Sequence, residues 1–198
     1  MNKILLATRN QGKKREMEQL LQDLPLEIIT LADIEDLPEI IEDGTTFAEN
    51  ASKKAGQTAA ASGYVCLADD SGLVVDALGG RPGIYSARFA GEEADDGKNN
   101  EKLLSLLENV EEEKRQARFV CAIAVSDPQG IIRVVTGVCE GMIAMEGKGT
   151  GGFGYDPLFI PLGSSRSFAQ LSPEEKNAIS HRAQALKKAR KLLEELFP

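Results

Sequence analysis

The stretch Leu67-Ala68-Asp69-Asp70-Ser71-Gly72-Leu73 sets two adjacent carboxylates at the end of the apolar run Val65 to Ala68, before apolar residues resume at Leu73. Neighbouring aspartates repel each other, so a fold that keeps both at one point supplies a cation, of which Mg²⁺ is the first candidate, or lets one hold a proton. The same letters also spell a strand followed by an Asp-Ser-Gly turn. The stretch alone does not choose between the two.

Three further constellations carry usable chemistry. Thr8-Arg9-Asn10-Gln11-Gly12-Lys13 lies between an apolar run and a helical pattern. A helix N-terminus offers unpaired N–H groups and partial positive charge, and a hydroxyl, amides, a glycine and cations added to it suit a phosphate. The spacing is not that of a Walker loop. Glu42 lies ahead of a second helix, where an acid serves as a helix-dipole partner. Glu49 is explained as a cap, and Lys54, five residues on, points to another side of that helix. The glycine-dense run Gly147 to Pro157 carries Phe153, Gly154, Tyr155 and Asp156. Its glycines permit close backbone approach, an aromatic face stacks on a nucleobase and a carboxylate accepts from base edges, unless both rings fill the core instead.

Lys176 and Ser180-His181-Arg182 complete the set. On one unbroken helix Lys176 and Arg182 would lie about 120° apart at 3.6 residues per turn. Both can meet one ligand only if the helix breaks near Ser180, with Ser180 capping a new one.

The elements that must position these groups follow from periodicity and punctuation. Ile4 to Ala7 and Glu27 to Thr30 predict strands, with a helix from Lys13 to Gln22 between them. Leu31 to Asp43 is acidic and contains Pro38, which predicts a loop with one helical turn. Thr46, with Glu49 three residues on, predicts an N-cap for an alanine-rich helix that Gly63 ends. Val65 to Asp69 predicts a strand and Leu73 to Ala77 its returning neighbour. Ile84 to Gly97 reads as irregular, then a helix runs from about Lys98 to Leu107, and Glu108 to Gln116 reads as charged and solvated. Arg118 to Ser126 and Ile131 to Glu140, joined by Asp127-Pro128-Gln129-Gly130, predict a long central hairpin. A short strand at Leu158 to Ile160 and a helix opening at Ser172-Pro173 and running to Leu196 close the chain. The fold class predicted is α/β: a mixed central sheet with a long antiparallel hairpin, flanking helices and two lobes around a cleft.

At 198 residues the chain fits one domain, 1–198, and is long enough to bury a core. A net charge of −8 argues against a nucleic-acid groove, which needs a broad basic face, whereas a small anion needs only a local positive pocket. The cysteines, Cys66, Cys121 and Cys139, are odd in number, far apart and set in apolar runs, as expected of core residues in a reducing cytosol. The opening residues are too short an apolar run for a signal peptide, and no run approaches the roughly 18 residues of a membrane span. A cytoplasmic protein without membrane contact is the expectation.

Taken in order, these stretches resemble the inosine triphosphate pyrophosphatase family, whose bacterial members act on XTP, dITP and ITP. The matching pieces are Leu6-Ala7-Thr8-x-Asn10-x-x-Lys13, Phe47-x-Glu49-Asn50-Ala51, Ala68-Asp69-Asp70-Ser71-Gly72-Leu73, Gly79-Gly80-x-Pro82-Gly83-Ile84-Tyr85-Ser86-Ala87-Arg88, Gly151-Gly152-Phe153-Gly154-Tyr155-Asp156-Pro157 and Ser180-His181-Arg182. Arg9 departs from the pattern, since bacterial relatives often carry Gly there. The resemblance implies a Mg²⁺-dependent hydrolase releasing pyrophosphate from a purine nucleoside triphosphate, and a homodimer. It implies that Thr8 to Lys13, Lys54 and Ser71 hold the triphosphate, and that Glu42 and Asp70 hold the metal. Asp70 is also the implied base, supported by Asp69, and Phe153 to Asp156, Lys176, His181 and Arg182 are implied around base and sugar. Two other readings share the residues: a nucleotide-binding protein without turnover, and a neighbouring enzyme acting on dTTP or UTP or transferring phosphate.

Overall fold

Six strands form one sheet in the order β2-β1-β3-β4-β5-β6, read from a computed structural model that describes residues 2–34, 37–93 and 95–197. The strands are β1 (Asn2–Leu6), β2 (Leu26–Thr30), β3 (Val65–Val75), β4 (Gln116–Ser126), β5 (Ile132–Ile143) and β6 (Phe159–Pro161). The helices are α1 (Gln11–Leu21), α2 (Phe47–Ser62), α3 (Asp96–Leu106), α4 (Pro173–Ile179) and α5 (His181–Leu196). β1 pairs in parallel with β2 and with β3, while β5 and β6 are antiparallel, so the sheet is mixed as predicted. The β4–β5 turn closes by Asp127 N–H donating to Ile131 O at 3.2 Å, with the Asp127 carboxylate accepting from Gln129 and Ile131.

The chain divides into two compact units, one comprising Met1–Asp70, Cys121–Gly137 and Arg182–Pro198, the other Ser71–Val120 and Val138–His181. In the first, strand alternation sorts side chains onto two faces. Ile4, Leu6, Leu67, Cys121, Ile123 and Val125 cluster with Met17 and Leu21 of α1 and Leu186, Ala189 and Leu193 of α5. Ala7, Cys66, Ala68, Ala122 and Ala124 meet Ala51, Ala55 and Ala59 of α2. Those small residues recur every four positions, so α2 lies close to the strands and its polar neighbours reach the strand ends. The second unit has its own core of Leu73, Val75, Leu103, Phe119, Ile143, Tyr155, Phe159 and Phe168, among others.

Local signals hold at several boundaries. Thr46 caps α2, its side chain accepting from Glu49 N, and Gly63 closes it at φ 73°. Ser172 and Glu175 form a capping box with Pro173 at the first turn of α4. The break expected near Ser180 is present: Ser180 is extended, φ −64° and ψ 156°, between α4 and α5.

The structure overturns three expectations. Leu73 to Ala77 does not return as a neighbouring strand; β3 runs unbroken from Val65 to Val75. No Asp-Ser-Gly turn forms, because Asp70, Ser71 and Gly72 all belong to that strand. Ile84 to Gly97 is more ordered than expected, with a 3-10 helix over Gly83–Arg88 and α3 beginning at Asp96; Ala94 lies outside the described residues. Glu108 to Gln116 is not uniformly solvated, because Arg115 is buried. Its guanidinium donates to the carbonyls of Val110, Ala144 and Leu107 at 3.0, 3.2 and 2.6 Å, which satisfies the charge inside the second unit. The loop predicted over Leu31 to Asp43 has its helical turn at Leu31–Asp33; Glu35 and Asp36 lie outside the described residues.

Candidate active site

In the first unit the carboxylates sit midway along β3, just past the level at which its parallel neighbour β1 ends. Ala7 N–H still donates to Leu67 O at 2.9 Å, so Thr8 leaves the sheet level with Asp69 and Asp70. Asn10 caps α1, its Oδ1 accepting from Lys13 N at 3.0 Å, and Thr8 Oγ1 accepts from Asn10 N at 3.3 Å. Gln11, Gly12 and Lys13 form the first turn of α1, a helix end with the partial positive charge that suits a phosphate. Arg9 projects outward and lies 3.8 Å from exposed Glu39.

The two aspartates are unlike in surroundings. Asp69 is fully buried, and its Oδ2 lies 3.0 Å from Lys13 Nζ and 3.4 Å from Arg182 Nη2. Arg182 also forms an ion pair with Glu16 of α1, one turn from Lys13. Burial alone would raise the Asp69 carboxyl, but the Lys13, Arg182 and Lys54 cations outweigh it and hold the group well below the usual carboxylate range. Asp70 goes the other way. Burial pushes its carboxyl up, nearby Glu42 adds to that, and Lys13 and the Asn50 hydrogen bond offset it only in part. The two adjacent acids are thus shifted in opposite senses by what surrounds them.

α2 supplies the partners of the second aspartate. Asn50 Nδ2 donates to Asp70 Oδ2 at 2.9 Å, and Asn50 Oδ1 accepts from Gly44 N at 2.8 Å. A side chain at Gly44 would place its Cβ 2.7 Å from Asn50 Oδ1, so glycine is needed for that approach. Lys54 Nζ lies 2.9 Å from Glu42 Oε1. Burial disfavours the Lys54 charge, but Asp69, Glu42 and Asp70 together raise its pKa, so it stays cationic. Glu49 turns to the helix start, accepting from Thr45 N at 2.7 Å.

Among the described residues no cluster of three or more His, Cys, Asp or Glu suits a metal ion. A Mg²⁺ ion is commonly held by only one or two carboxylates together with substrate phosphates, and Glu42 and Asp70 are two carboxylates that act on each other. Glu42 raising the Asp70 carboxyl is the like-charge repulsion that a cation relieves.

In the second unit, Ser71 is half-buried on β3. The glycine loop is built around Asp156, whose Oδ2 accepts from Phe153 N at 2.9 Å and from Lys176 Nζ at 2.6 Å. Gly152 has φ 73°, and a Cβ there would fall 2.0 Å from Asp156 Oδ2. Lys176 Nζ stands 4.9 Å from the Phe153 ring centroid, a cation–π contact. Tyr155 is buried and its hydroxyl donates to Ser86 O at 2.8 Å, while Phe153 is half-buried. The pair therefore splits: Tyr155 fills the core and Phe153 stays half-buried under Lys176. His181 is buried and stacks on Phe119, ring centroids 4.6 Å apart and planes 10° from parallel.

The structure thus brings Lys13, Asp69 and Arg182 together, Glu42 with Lys54, and Phe153, Asp156 and Lys176 together. Arg182 sits with the carboxylates of the first unit; the resemblance had implied the base. Sequence reasoning assigned no role to Glu16 or Asn50. Asn50 lay inside a quoted motif, but the chemistry of an amide on a helix does not reveal that it bridges the segment before α2 and strand β3. Glu16 had no local signal, since its partner is 166 residues away.

The model of the Ham1 family matches residues 4–192. A dITP/XTP pyrophosphatase of Desulforamulus reducens is 52% identical over 195 residues, covering 98% of this chain and 97% of its own. One of Bacillus subtilis is 50% identical over 194 residues, covering 98% of each. The solved structure of a HAM1 protein from Coxiella burnetii superposes with a TM-score of 0.89 at 43% identity, covering 98% of this chain and 100% of that one.

Proposed function

The chain belongs to the Ham1 family, and from that we infer that it is a nucleoside triphosphate pyrophosphatase. It hydrolyses deaminated purine nucleoside triphosphates, XTP, ITP and dITP, to the monophosphate and pyrophosphate. The observation that carries this reading is the arrangement beside the end of β1, where Lys13 and Arg182 hold buried Asp69 while Asp70 faces Asn50, in a chain 52% identical to a dITP/XTP pyrophosphatase. A binding protein needs no carboxylate poised to accept a proton.

In the mechanism we propose, Thr8, Arg9, Asn10, Gln11, Gly12 and Lys13 take the triphosphate through side chains and the N–H groups that open α1, with Lys54 and Ser71 contributing. Asp70 takes a proton from the water that attacks the α-phosphorus. Lys13 and Lys54 stabilise the charge that develops on departing pyrophosphate. Asp69 stays ionised throughout and, held by Arg182, keeps the Lys13 ammonium in place. Glu42 and Asp70 would hold Mg²⁺, which when bound offsets the phosphate charge that repels an incoming nucleophile.

Phe153 is proposed as the stacking face for the purine, with Gly154, Tyr155 and Asp156 shaping the loop and Lys176 and His181 beside it. Donors aimed at a 6-oxo group would face the 6-amino group of adenine donor to donor, and buried groups left unpaired discriminate by orders of magnitude. Guanine shares the 6-oxo group, so its exclusion acts at the 2-amino position. We further propose a cytoplasmic homodimer that clears these nucleotides from the pool before they enter DNA and RNA; no described helix is long and apolar enough to cross a membrane.

Phosphorus NMR of the products tests the reaction. With dITP and Mg²⁺ the expected products are dIMP and pyrophosphate, with little turnover of dATP or dGTP and none without a divalent cation. Orthophosphate and dIDP would defeat the assignment.

A further inference from the structure

We propose that Asp96 and Asn100 of α3 are positioning residues for the base-binding loop, fixing the backbone of Gly154 and through it the place where the Phe153 ring meets a purine. The inference rests on the reading of that loop given above. Gly154 N–H donates to Asp96 Oδ2 at 2.6 Å, and Asn100 Nδ2 donates to Gly154 O at 3.0 Å. The two side chains are four residues apart and so share one face of α3. One helix face thus grips both polar groups of a single residue. That residue has φ 61°, in the left-handed region where glycine is favoured.

The amide of Asn100 can be oriented in only one sense, because a carbonyl oxygen requires the NH₂ to face it. Its own Oδ1 is left buried without a hydrogen-bond partner among the described residues. A side chain present only for packing would avoid that penalty.

The remainder of α3 shows why it can serve as a fixed support. Asp95 caps it, accepting from Lys98 N at 2.8 Å. Asn99 accepts from Ala90 N at 2.7 Å and donates to Ala87 O at 3.1 Å, and Lys102 Nζ donates to Phe89 O at 2.6 Å. These bonds tie α3 to the 3-10 helix Gly83–Arg88 and the residues after it. Tyr155, next to Gly154, reaches the same helix through Ser86 O. Ser86 in turn accepts from Leu73 N at 2.9 Å and donates to Gly83 O at 2.6 Å. The run Gly79 to Arg88, which the proposed chemistry leaves without a part, thereby becomes the anchor to which helix and loop are both fastened.

Loosening Gly154 should disturb recognition of the base and leave the reacting phosphates alone. The test compares wild type with Asp96→Ala, Asn100→Ala, Asp96→Asn and Phe153→Ala, measuring KM and kcat for dITP and the inhibition constant of inorganic tripolyphosphate, which has no base. Asp96→Ala and Asn100→Ala are expected to raise KM for dITP on the order of tenfold with kcat held within about twofold. Tripolyphosphate inhibition should be unchanged, and Asp96→Asn, whose Oδ1 still accepts from Gly154 N, should recover most of the loss. If Phe153→Ala raises KM while the two α3 variants do not, the positioning role is overturned and the loop reading stands. If Phe153→Ala leaves KM unchanged, the loop reading itself fails. Equal weakening toward tripolyphosphate would reduce α3 to a structural support and overturn the proposal.

Discussion

Asp69 and Asp70 are chemically identical neighbours, and their difference comes wholly from what each one faces. Asp69 meets Lys13 and Arg182 and remains an anion, while Asp70 meets an amide and lies near Glu42. Substitution should separate them. In Asp70→Asn the Asn50 donor keeps an acceptor, so the fold should survive while pyrophosphate release falls by about 10²–10⁴, the usual worth of a positioned acid or base. Near-wild-type kcat would remove Asp70 from the role of base. Asp69→Asn leaves Lys13 and Arg182 without the anion they share, which costs about 3–5 kcal/mol when a buried pair is broken. Its signature is therefore a large drop in Tm, and a Tm within a degree or two of Asp70→Asn would contradict the division of roles.

At the scale of elements, α4 and α5 show a sequence constraint translated into geometry: extended Ser180 lets Lys176 and Arg182 leave one helical register and go to different partners. Arg115 shows the opposite case, a charged residue in an acidic segment that nevertheless fastens the second unit. Arg115→Met keeps the stem and removes donors to three carbonyls, so urea unfolding should show a loss of about 2–4 kcal/mol. The m value and kcat at 25 °C should stay near wild type, and an unchanged midpoint would show that water replaces the guanidinium without loss. What could be read in advance follows the same line. Thr46, Gly63, Ser172 and the Asp127 to Gly130 turn act through neighbours a few residues away, and their elements were legible. β3 was cut in two because Asp-Ser-Gly has the local chemistry of a turn, whereas its pairing is with strands distant in sequence. Arg115 with Ala144, and Glu16 with Arg182, are long-range pairs with no local trace. The ranking of Asp70 over Asp69 came from resemblance; what the structure adds is that Asp69 faces Lys13 and Arg182, partners distant in sequence that no local pattern announces.

Over the whole molecule, a net charge of −8 coexists with a concentration of cations around one strand end. An acidic body repels polyanions at large, and in the proposed function Lys13, Lys54 and the α1 N-terminus retain a small one, which would favour a free nucleotide over a nucleic acid. The other molecule-wide property is the state of its thiols. Cys66, Cys121 and Cys139 are all free and buried. Burial pushes the first two up to about 12 and the third to about 11, with Asp69 adding to the effect at Cys121 and Glu140 at Cys139. In the unfolded chain a thiol ionises at about 8.5. The folded state therefore holds these protons more tightly, so their contribution is complete below the unfolded value and is lost as pH rises toward the folded ones. Each thiol should steepen the fall of unfolding free energy by up to about 1.4 kcal/mol per pH unit between those limits. Tyr155, whose phenol burial also raises, acts in the same sense at higher pH. Urea unfolding followed from pH 8 to 10.5 should show stability falling continuously, and Cys139→Ala should flatten that slope by about one thiol's share whatever it does to stability at pH 7. A slope identical in wild type and variant would mean that the thiol titrates alike in both states, and burial would then not govern its proton.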